Sequence, residues 1–128
     1  MSQGADSESR IFRIGGASYL QIPAEQPRRS AAFYAAVFGW SLHGGPDNPS
    51  FEDGTGHVMG HFVSDRPAVG AAGIRPYVFV ADVVETLDKV VANGGDVITA
   101  PYPEGDVLVA TFRDPSGNVV GVWQRAPT

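Results

Sequence analysis

Two histidines, His57 and His61, stand four residues apart, a spacing that on a helix would bring two metal ligands onto one face. The segment follows a turn at residues 53–56 and reads as a strand instead. At about 3.3 Å per residue, the two α-carbons would lie about 13 Å apart, too far to share one ion. Alternation also places both histidines on the face opposite Gly60. His43, at the edge of a predicted loop, adds no metal signal.

Two acidic pairs could serve general acid–base chemistry, namely Glu52 with Asp53 and Glu104 with Asp106. Both pairs adjoin glycine in predicted turns, where aspartate is favoured for backbone reasons alone. Acid–base use is an open alternative, because it requires a position in a cleft that the sequence does not reveal.

Several reaction classes lack their motifs. The chain has no cysteine, which excludes disulfides, thiolate nucleophiles, zinc–thiolate sites and iron–sulfur clusters. Gly54 and Gly56 resemble the start of a dinucleotide loop, but no helix follows them. The G-x-S-x-G elbow of serine hydrolases is also missing.

The charge balance argues against two kinds of partner. The 128 residues carry a net charge of -5 and lack the broad basic surface that nucleic acid or anionic lipid requires. No apolar run approaches the roughly 20 residues of a membrane span. Residues 1–10 read as a loose polar tail without the features of a secretory signal. We therefore expect a soluble cytoplasmic protein that binds neither nucleic acid nor membrane.

An internal repeat gives the strongest clue to the elements that position these residues. Residues 51–62 align without gaps with residues 112–123, and Phe, Asp, Gly, Val and Gly recur in register. Each copy reads as an aromatic residue, a turn and a strand.

The first half begins with a strand at residues 18–23 and a helix that starts near Pro27 and stops at Gly39. The helix is predicted from an i, i+3, i+4 stripe of Phe33, Tyr34, Val37 and Phe38. A second strand near residues 40–43 is more weakly indicated.

The second half repeats this order. A strand at residues 77–80 precedes a helical stripe that stops at residues 93–95. The predicted remainder is a strand at 96–99, a loop at 101–106, and strands at 107–113 and 118–124. The order βαβββ twice over predicts an α+β fold, with a tail at 1–10, a first module at 11–69 and a second at 70–128.

Residues 32–40 (AFYAAVFGW) and 112–118 (FRDPSGN), together with the repeat, resemble the vicinal oxygen chelate superfamily, also called glyoxalase/bleomycin-resistance/dioxygenase. The resemblance covers about residues 12–124 and implies two tandem βαβββ modules forming a half-barrel sheet around a cavity. It does not fix the function, since the superfamily includes glyoxalases, extradiol dioxygenases, epimerases, fosfomycin-modifying enzymes and drug-sequestering binders.

Most enzymes of that superfamily hold a metal with ligands from the first and last strands of each module. The last-strand positions fall here on Gly60 and Gly121, and the first-strand positions on about Ala17 and Arg75, or Tyr19 and Tyr77 after a two-residue shift. None is a usual ligand of a divalent metal. The expectation is a protein without metal or other cofactor.

If those positions face a cavity, strand alternation gives that cavity an aromatic lining with few polar groups. The predicted ligand-binding residues are Tyr19, Gln21, Phe62, Arg75, Tyr77, Phe79 and Trp123. The competing interpretation is that the aromatic side chains fill the cavity as core.

Three functions are compatible with these residues. The first is a metal-independent protein that binds a small aromatic or amphipathic molecule, in the manner of the bleomycin-resistance branch. The second is a lyase, dioxygenase or isomerase with an atypical or absent metal site, using Tyr19, Gln21 or Arg75. The third is a structural or interaction role. A homodimer is expected because a single module leaves a half-open sheet face.

Overall fold

The computed structural model describes residues 10–126, which form two units that part between Pro67 and Ala68. Each unit contains one βαβββ module, so the predicted α+β fold with two tandem modules is confirmed. The predicted tail at 1–10 lies, apart from Arg10, outside the described residues. Within residues 10–126, neither helix of the modules is long and apolar enough to cross a membrane.

The βαβββ module of the first unit contains one helix and a four-stranded sheet. Its elements are β1 (Tyr19–Pro23), α1 (Pro27–Phe38), β2 (Ser41–His43), β3 (Ser50–Glu52) and β4 (Met59–Val63). The sheet order is β1-β4-β3-β2, with β1 parallel to β4 and the other pairs antiparallel. Proline opens α1, where its missing N–H costs no hydrogen bond, and Gly39 ends it with a φ of 72°.

The second unit repeats the arrangement with longer strands. Its elements are β5 (Tyr77–Phe79), α2 (Val83–Ala92), β6 (Asp96–Glu104), β7 (Val107–Arg113) and β8 (Val119–Arg125). The order is β5-β8-β7-β6, and β5 runs parallel to β8. The Asp82 carboxylate caps α2 by accepting a hydrogen bond from the backbone N–H of Glu85 at 3.0 Å.

The predicted loop at residues 101–106 is wrong over most of its length. The strand that was expected to end at Thr99 continues to Glu104 and leaves only a short turn before β7. Prolines 101 and 103 are tolerated because β6 lies at the edge of the sheet, where a missing N–H leaves no neighbour unpaired on that side. Register shifts around Thr99 mark irregular pairing with β7.

Stacked aromatic rings form the core of the first unit. The ring of Trp40 lies 4.8 Å from Tyr34 and 4.7 Å from Phe51, measured between centroids. Phe62 completes the cluster at 5.7 Å from Tyr34 and 5.2 Å from Phe51. Because Tyr34 belongs to α1, this cluster identifies the side of the sheet that packs against the helix.

In the second unit the corresponding layer is mostly aliphatic. The buried side chains of α2 are Val83, Thr86, Leu87 and Val90, and those of β7 and β8 include Ala110, Phe112 and Val122. The side-chain carbonyl of Gln124 accepts a hydrogen bond from the backbone N–H of Val83 at 2.6 Å. Gln124 therefore faces α2, and so do Val122 and Val120, which alternate with it along β8.

The two hairpin turns differ by one residue, although their sequences align without a gap. In the first unit the N–H of Asp53 bonds to the carbonyl of Val58 at 2.9 Å; in the second, Asp114 bonds to Asn118 at 2.8 Å. Phe51 consequently pairs with Gly60, whereas Phe112 pairs with Val120 and not with Gly121. A shift of one residue turns every side chain of a strand to the other face. Gly60 faces the helix in its unit, and Gly121 faces away from it.

Candidate functional site

The sheet of each unit has one face packed against its helix and one face turned away from it, here called the open face. On the open face of the first unit, Gln21 pairs with His61 across β1 and β4, and Tyr19 pairs with Met59. The prediction that Phe62 shares this face is wrong, since Phe62 pairs with Ile22 on the helix side. Its side chain is 2% exposed. The longer first hairpin turn is the physical reason, because it moves His61 into the place assigned to Phe62.

Polar side chains on this face are already linked to one another. The hydroxyl of Tyr19 and Nδ1 of His61 are 2.9 Å apart and form a hydrogen bond. The amide oxygen of Gln21 accepts a hydrogen bond from Arg66 at 2.7 Å, and Arg66 also pairs with Asp65 at 3.1 Å. The amide N–H groups of Gln21 have no hydrogen-bond partner among residues 10–126, so they are available to an incoming acceptor.

On the open face of the second unit, three aromatic residues and one valine form a row across the whole sheet. Tyr102 on β6 pairs with Val109, Val109 pairs with Trp123, and Trp123 pairs with Phe79 on β5. The rings of Phe79 and Trp123 lie 4.7 Å apart with an angle of 60° between their planes. Phe79 is 56% exposed, whereas Trp123 is half-buried. We call these four residues the aromatic row.

Tyr77 lies beside this row and rests on Gly121. The two residues are paired across β5 and β8. A Cβ added to Gly121 would fall inside the Tyr77 ring, 2.6 Å from its Cζ and closer still to Cε2 and Cδ2. Any side chain at residue 121 would therefore displace the ring. Glycine here allows Tyr77 to lie against the sheet next to Trp123.

A small polar group adjoins the aromatic row. The hydroxyl of Tyr102 donates a hydrogen bond to Glu104 at 3.3 Å. Loss of hydration around the phenol raises the pKa of Tyr102, and the charge and hydrogen bond of Glu104 raise it further. Tyr77 also raises this pKa, whereas Arg75 lowers it, so both lie within electrostatic reach. Tyr102 is consequently a neutral hydrogen-bond donor at physiological pH.

Sequence reasoning missed Tyr102 and His61. Tyr102 falls in the predicted loop, where two prolines flank it, and the expected alternation turns His61 away from the cavity side of the sheet. The signal for Tyr102 was the aromatic residue itself, two positions from Glu104 and therefore on the same face of an extended chain. For His61 the sequence held no such signal, because the alignment of the two turns shows no gap.

The side chains do not fit the metal site that the resemblance implies. At the last-strand positions, Gly60 faces the helix and the space above Gly121 is taken by the Tyr77 ring. Arg75 carries a positive charge, which repels a cation. His61 offers a nitrogen ligand on the open face, but a single histidine does not make a metal site. In the described part of the chain, no group of three His, Asp or Glu side chains could hold an ion.

The remaining candidates from the sequence have local roles. Asp53 accepts hydrogen bonds from the backbone N–H groups of Thr55 and Gly56, at 3.1 and 3.0 Å, and so stabilises its turn. His57 belongs to the same turn and not to β4. His43 lies 4.0 Å from Glu52 on exposed strands. These contacts are local, within one turn or between neighbouring strands.

A mycobacterial protein resembles this chain in sequence. A protein of Mycobacterium tuberculosis named "Putative glyoxylase CFP32" is 30% identical over 125 residues, which cover 88% of this chain and 47% of that protein. The chain thus spans about half the length of this curated relative.

Solved structures resemble it in fold. A glyoxalase/bleomycin resistance protein/dioxygenase family enzyme from Burkholderia phytofirmans superposes with a TM-score of 0.72 at 20% identity, over 84% of this chain and 97% of that one. TnmS3, an antibiotic binding protein from a Streptomyces species, superposes with a TM-score of 0.69 at 20% identity, over 90% and 99% of the two chains.

The sequence profile of one family matches most of the described chain. It covers residues 16–122, from just before β1 to the middle of β8. This span contains both βαβββ modules and both turns of the repeat. The chain belongs to the Glyoxalase/Bleomycin resistance protein/Dioxygenase superfamily.

Proposed function

We propose that the protein binds a small aromatic or amphipathic molecule on the open face of the second unit, without using a metal ion. The observation that carries this proposal is the aromatic row of Phe79, Trp123, Val109 and Tyr102, with Tyr77 beside it. Apolar walls with a few polar groups are the usual composition of small-molecule sites.

Exposure of these rings favours a ligand over a purely structural role. Phe79 is 56% exposed and Tyr77 is 44% exposed, so neither is filling a core within its unit. A planar ligand stacked on such rings removes apolar surface from water and adds ring–ring contacts of about 0.5–1.5 kcal/mol each. Tyr102 and Glu104 would then orient the polar edge of the ligand.

Two solved structures of similar fold are described with different roles, and one of them supports binding. TnmS3 is described as an antibiotic binding protein, whereas the Burkholderia protein is described as an enzyme. The alternative is a lyase, dioxygenase or isomerase of the same superfamily. That alternative would need metal ligands elsewhere, or acid–base chemistry by groups such as Tyr19 and His61 on the open face of the first unit. We favour binding because the exposed rings of the second unit offer apolar surface for a ligand.

The first unit offers polar contacts that fit the same function. Tyr19 and Gln21 lie on its open face, and the amide N–H groups of Gln21 are available as donors. We propose that these two residues bind polar groups of a small molecule on the open face of their own unit. Phe62 lies on the helix side of that sheet and does not contribute. On the open face of the second unit, the proposed ligand-binding residues are Arg75, Tyr77, Phe79 and Trp123.

The binding proposal is tested by a chemical-shift titration of the ¹⁵N-labelled protein with 2-naphthylmethanol, a neutral planar probe. With roughly 12 non-hydrogen atoms contributing about 0.3–0.5 kcal/mol each, we expect a Kd of about 0.04–2 mM. The shifts should concentrate on β5 and β8. The variant Phe79→Leu should weaken binding about three- to tenfold, because it removes one stacking ring.

Phe12→Leu is the matched control, since Phe12 is 74% exposed and lies outside both sheets. Its affinity for the probe should equal that of the unmodified protein. Equal weakening by the two variants, or shifts scattered over the surface, would show that the probe binds exposed apolar side chains without a defined site.

We also propose that the protein works in the cytoplasm as a homodimer. A ligand covers only part of an open sheet face. A second copy of the chain can cover the rest and remove it from water. Sedimentation velocity at micromolar concentration should give the mass of two chains. A single species at the mass of one chain, 13.5 kDa, would contradict this assembly.

A further inference from the structure

We propose that the ligand of the second unit is an aromatic anion and that Arg75 binds its acidic group. This inference rests on the proposed function and adds the charge of the ligand to it. The acidic group would be a carboxylate or another oxyanion attached to a planar ring system. The ring would stack on Tyr77, Phe79 and Trp123 while the guanidinium holds the acid at one end.

The position of Arg75 suits this role. It precedes Tyr77 by two residues, so it lies just before β5, the strand that carries Tyr77 and Phe79. Its side chain is exposed, and its hydrogen bond is a long one of 3.4 Å to the carbonyl of Ala71. No acidic side chain in the described part of the chain pairs with it. A guanidinium in this state can form a bidentate pair with a carboxylate without breaking an existing ion pair.

Glu104, the acidic group that acts on the same phenol, does not neutralise Arg75. Glu104 accepts the hydrogen bond of Tyr102, and Arg75 and Glu104 form no ion pair with each other although both act on Tyr102 electrostatically. Arg75 lies just before β5, which carries Tyr77 and Phe79, whereas Glu104 ends β6 at the other edge of the sheet. A ring stacked on Tyr77 and Phe79 therefore brings its charged group closer to Arg75 than to Glu104.

Two other arginines lie on this open face, Arg113 on β7 and Arg125 on β8, and the latter provides an internal comparison. Arg125 lies at the end of β8, beyond Trp123, and pairs in register with Val107. Arg75 and Arg125 thus flank the paired rings from opposite ends of the strands. A ligand held at Arg75 leaves Arg125 uninvolved, so the two arginines can be told apart by substitution.

The test compares three probes with the same ring system in low-salt buffer: 2-naphthoate, 2-naphthylmethanol and 2-naphthylmethylammonium. Chemical-shift titration should show the carboxylate binding about tenfold more tightly than the alcohol, as expected for one charge-assisted pair in a partly exposed site. Arg75→Met should remove this advantage, so that the variant binds the carboxylate and the alcohol with equal affinity. Added salt near 0.5 M should also reduce the advantage, because it screens exposed charges.

Two controls accompany Arg75→Met. Arg125→Met changes an arginine at the opposite end of this face, and Arg29→Met changes an exposed arginine of α1 in the first unit. Both should leave naphthoate binding unchanged. Loss of the advantage in Arg125→Met instead would overturn the assignment to Arg75.

The outcomes separate this inference from the proposed function. Equal binding of all three probes would overturn the inference and leave an aromatic site that ignores charge. Tightest binding of the ammonium probe would overturn it in favour of Glu104 as the charged partner. No binding of any probe would overturn the proposed site and the inference with it.

Discussion

Replacing Phe62 with alanine is expected to destabilise the protein by roughly 3–5 kcal/mol, as is usual for deletion of a buried phenylalanine side chain. Phe62 is 2% exposed and its ring contacts Tyr34 and Phe51. The substitution removes these contacts and leaves a cavity between α1 and the sheet. Urea denaturation followed by tryptophan fluorescence measures the effect, because Trp40 belongs to the same cluster.

The neighbouring substitution His61→Ala is the matched control. His61 lies on the open face, and alanine removes its hydrogen bond and its ring contact with Tyr19. The hydrogen bond is partly exposed and worth about 1 kcal/mol or less. If Phe62 lay on the open face, as the sequence predicts, His61 would face the helix and the two effects would be reversed. A large loss for His61→Ala with a small loss for Phe62→Ala would therefore contradict the register of β4.

The second large effect is expected for Gly60→Ala, which should cost about 3 kcal/mol, the upper end of the range for overpacking a core. An added Cβ would lie 2.7 Å from the Phe51 ring and would clash with the backbone carbonyl of Leu20. The ring can turn aside, but the carbonyl belongs to β1, so the parallel pairing of β1 with β4 must open. Urea denaturation again provides the measurement.

Gly54→Ala is the control for Gly60→Ala. Its nearest neighbour would be the carbonyl oxygen of Phe38 at 4.0 Å, an ordinary contact. We expect a change within about 0.5 kcal/mol, as for most surface substitutions. Comparable losses for both variants would mean that glycine content matters in general and that the close approach at residue 60 is not specific.

Local chemistry made the helices predictable. Pro27 and Gly39 bound α1 because each prefers the backbone conformation found at its end of a helix. Of the five apolar residues in the stripe of α2, Val83, Leu87 and Val90 are buried as expected, whereas Val84 and Val91 are more than half exposed. The repeat then gave the order of the modules, since each copy begins with an aromatic residue and ends in a strand.

The face of β4 was not predictable in the same way. It depends on whether the turn closes with five or six residues, which is decided by hydrogen bonds across the turn. In the second unit Pro115 follows Asp114 and favours a tight turn, whereas Gly54 in the first leaves the length open. A gapless alignment conceals that difference, so Gly60 and Gly121 seemed equivalent.

The candidate site was predictable only in part. Alternation along β5 and β8 correctly grouped Tyr77, Phe79 and Trp123 on one face, as the register places them. Their ligand role stays a prediction. The contact between Tyr77 and Gly121 depends on how a ring settles on its neighbour, which spacing does not determine. The same holds for the bond between Tyr19 and His61.

Binding without a metal ion is the central claim, and one measurement tests it most directly. Protein treated with a chelator and dialysed is titrated with 2-naphthoate, first without metal and then with added Zn²⁺, Mn²⁺ or Ni²⁺, while elemental analysis gives the metal content. We predict one saturable site with the same Kd in every case, far less than one metal per chain, and an unchanged Tm after chelation. Binding that appears only when a divalent metal is added, or near one tightly held metal per chain, would contradict the account.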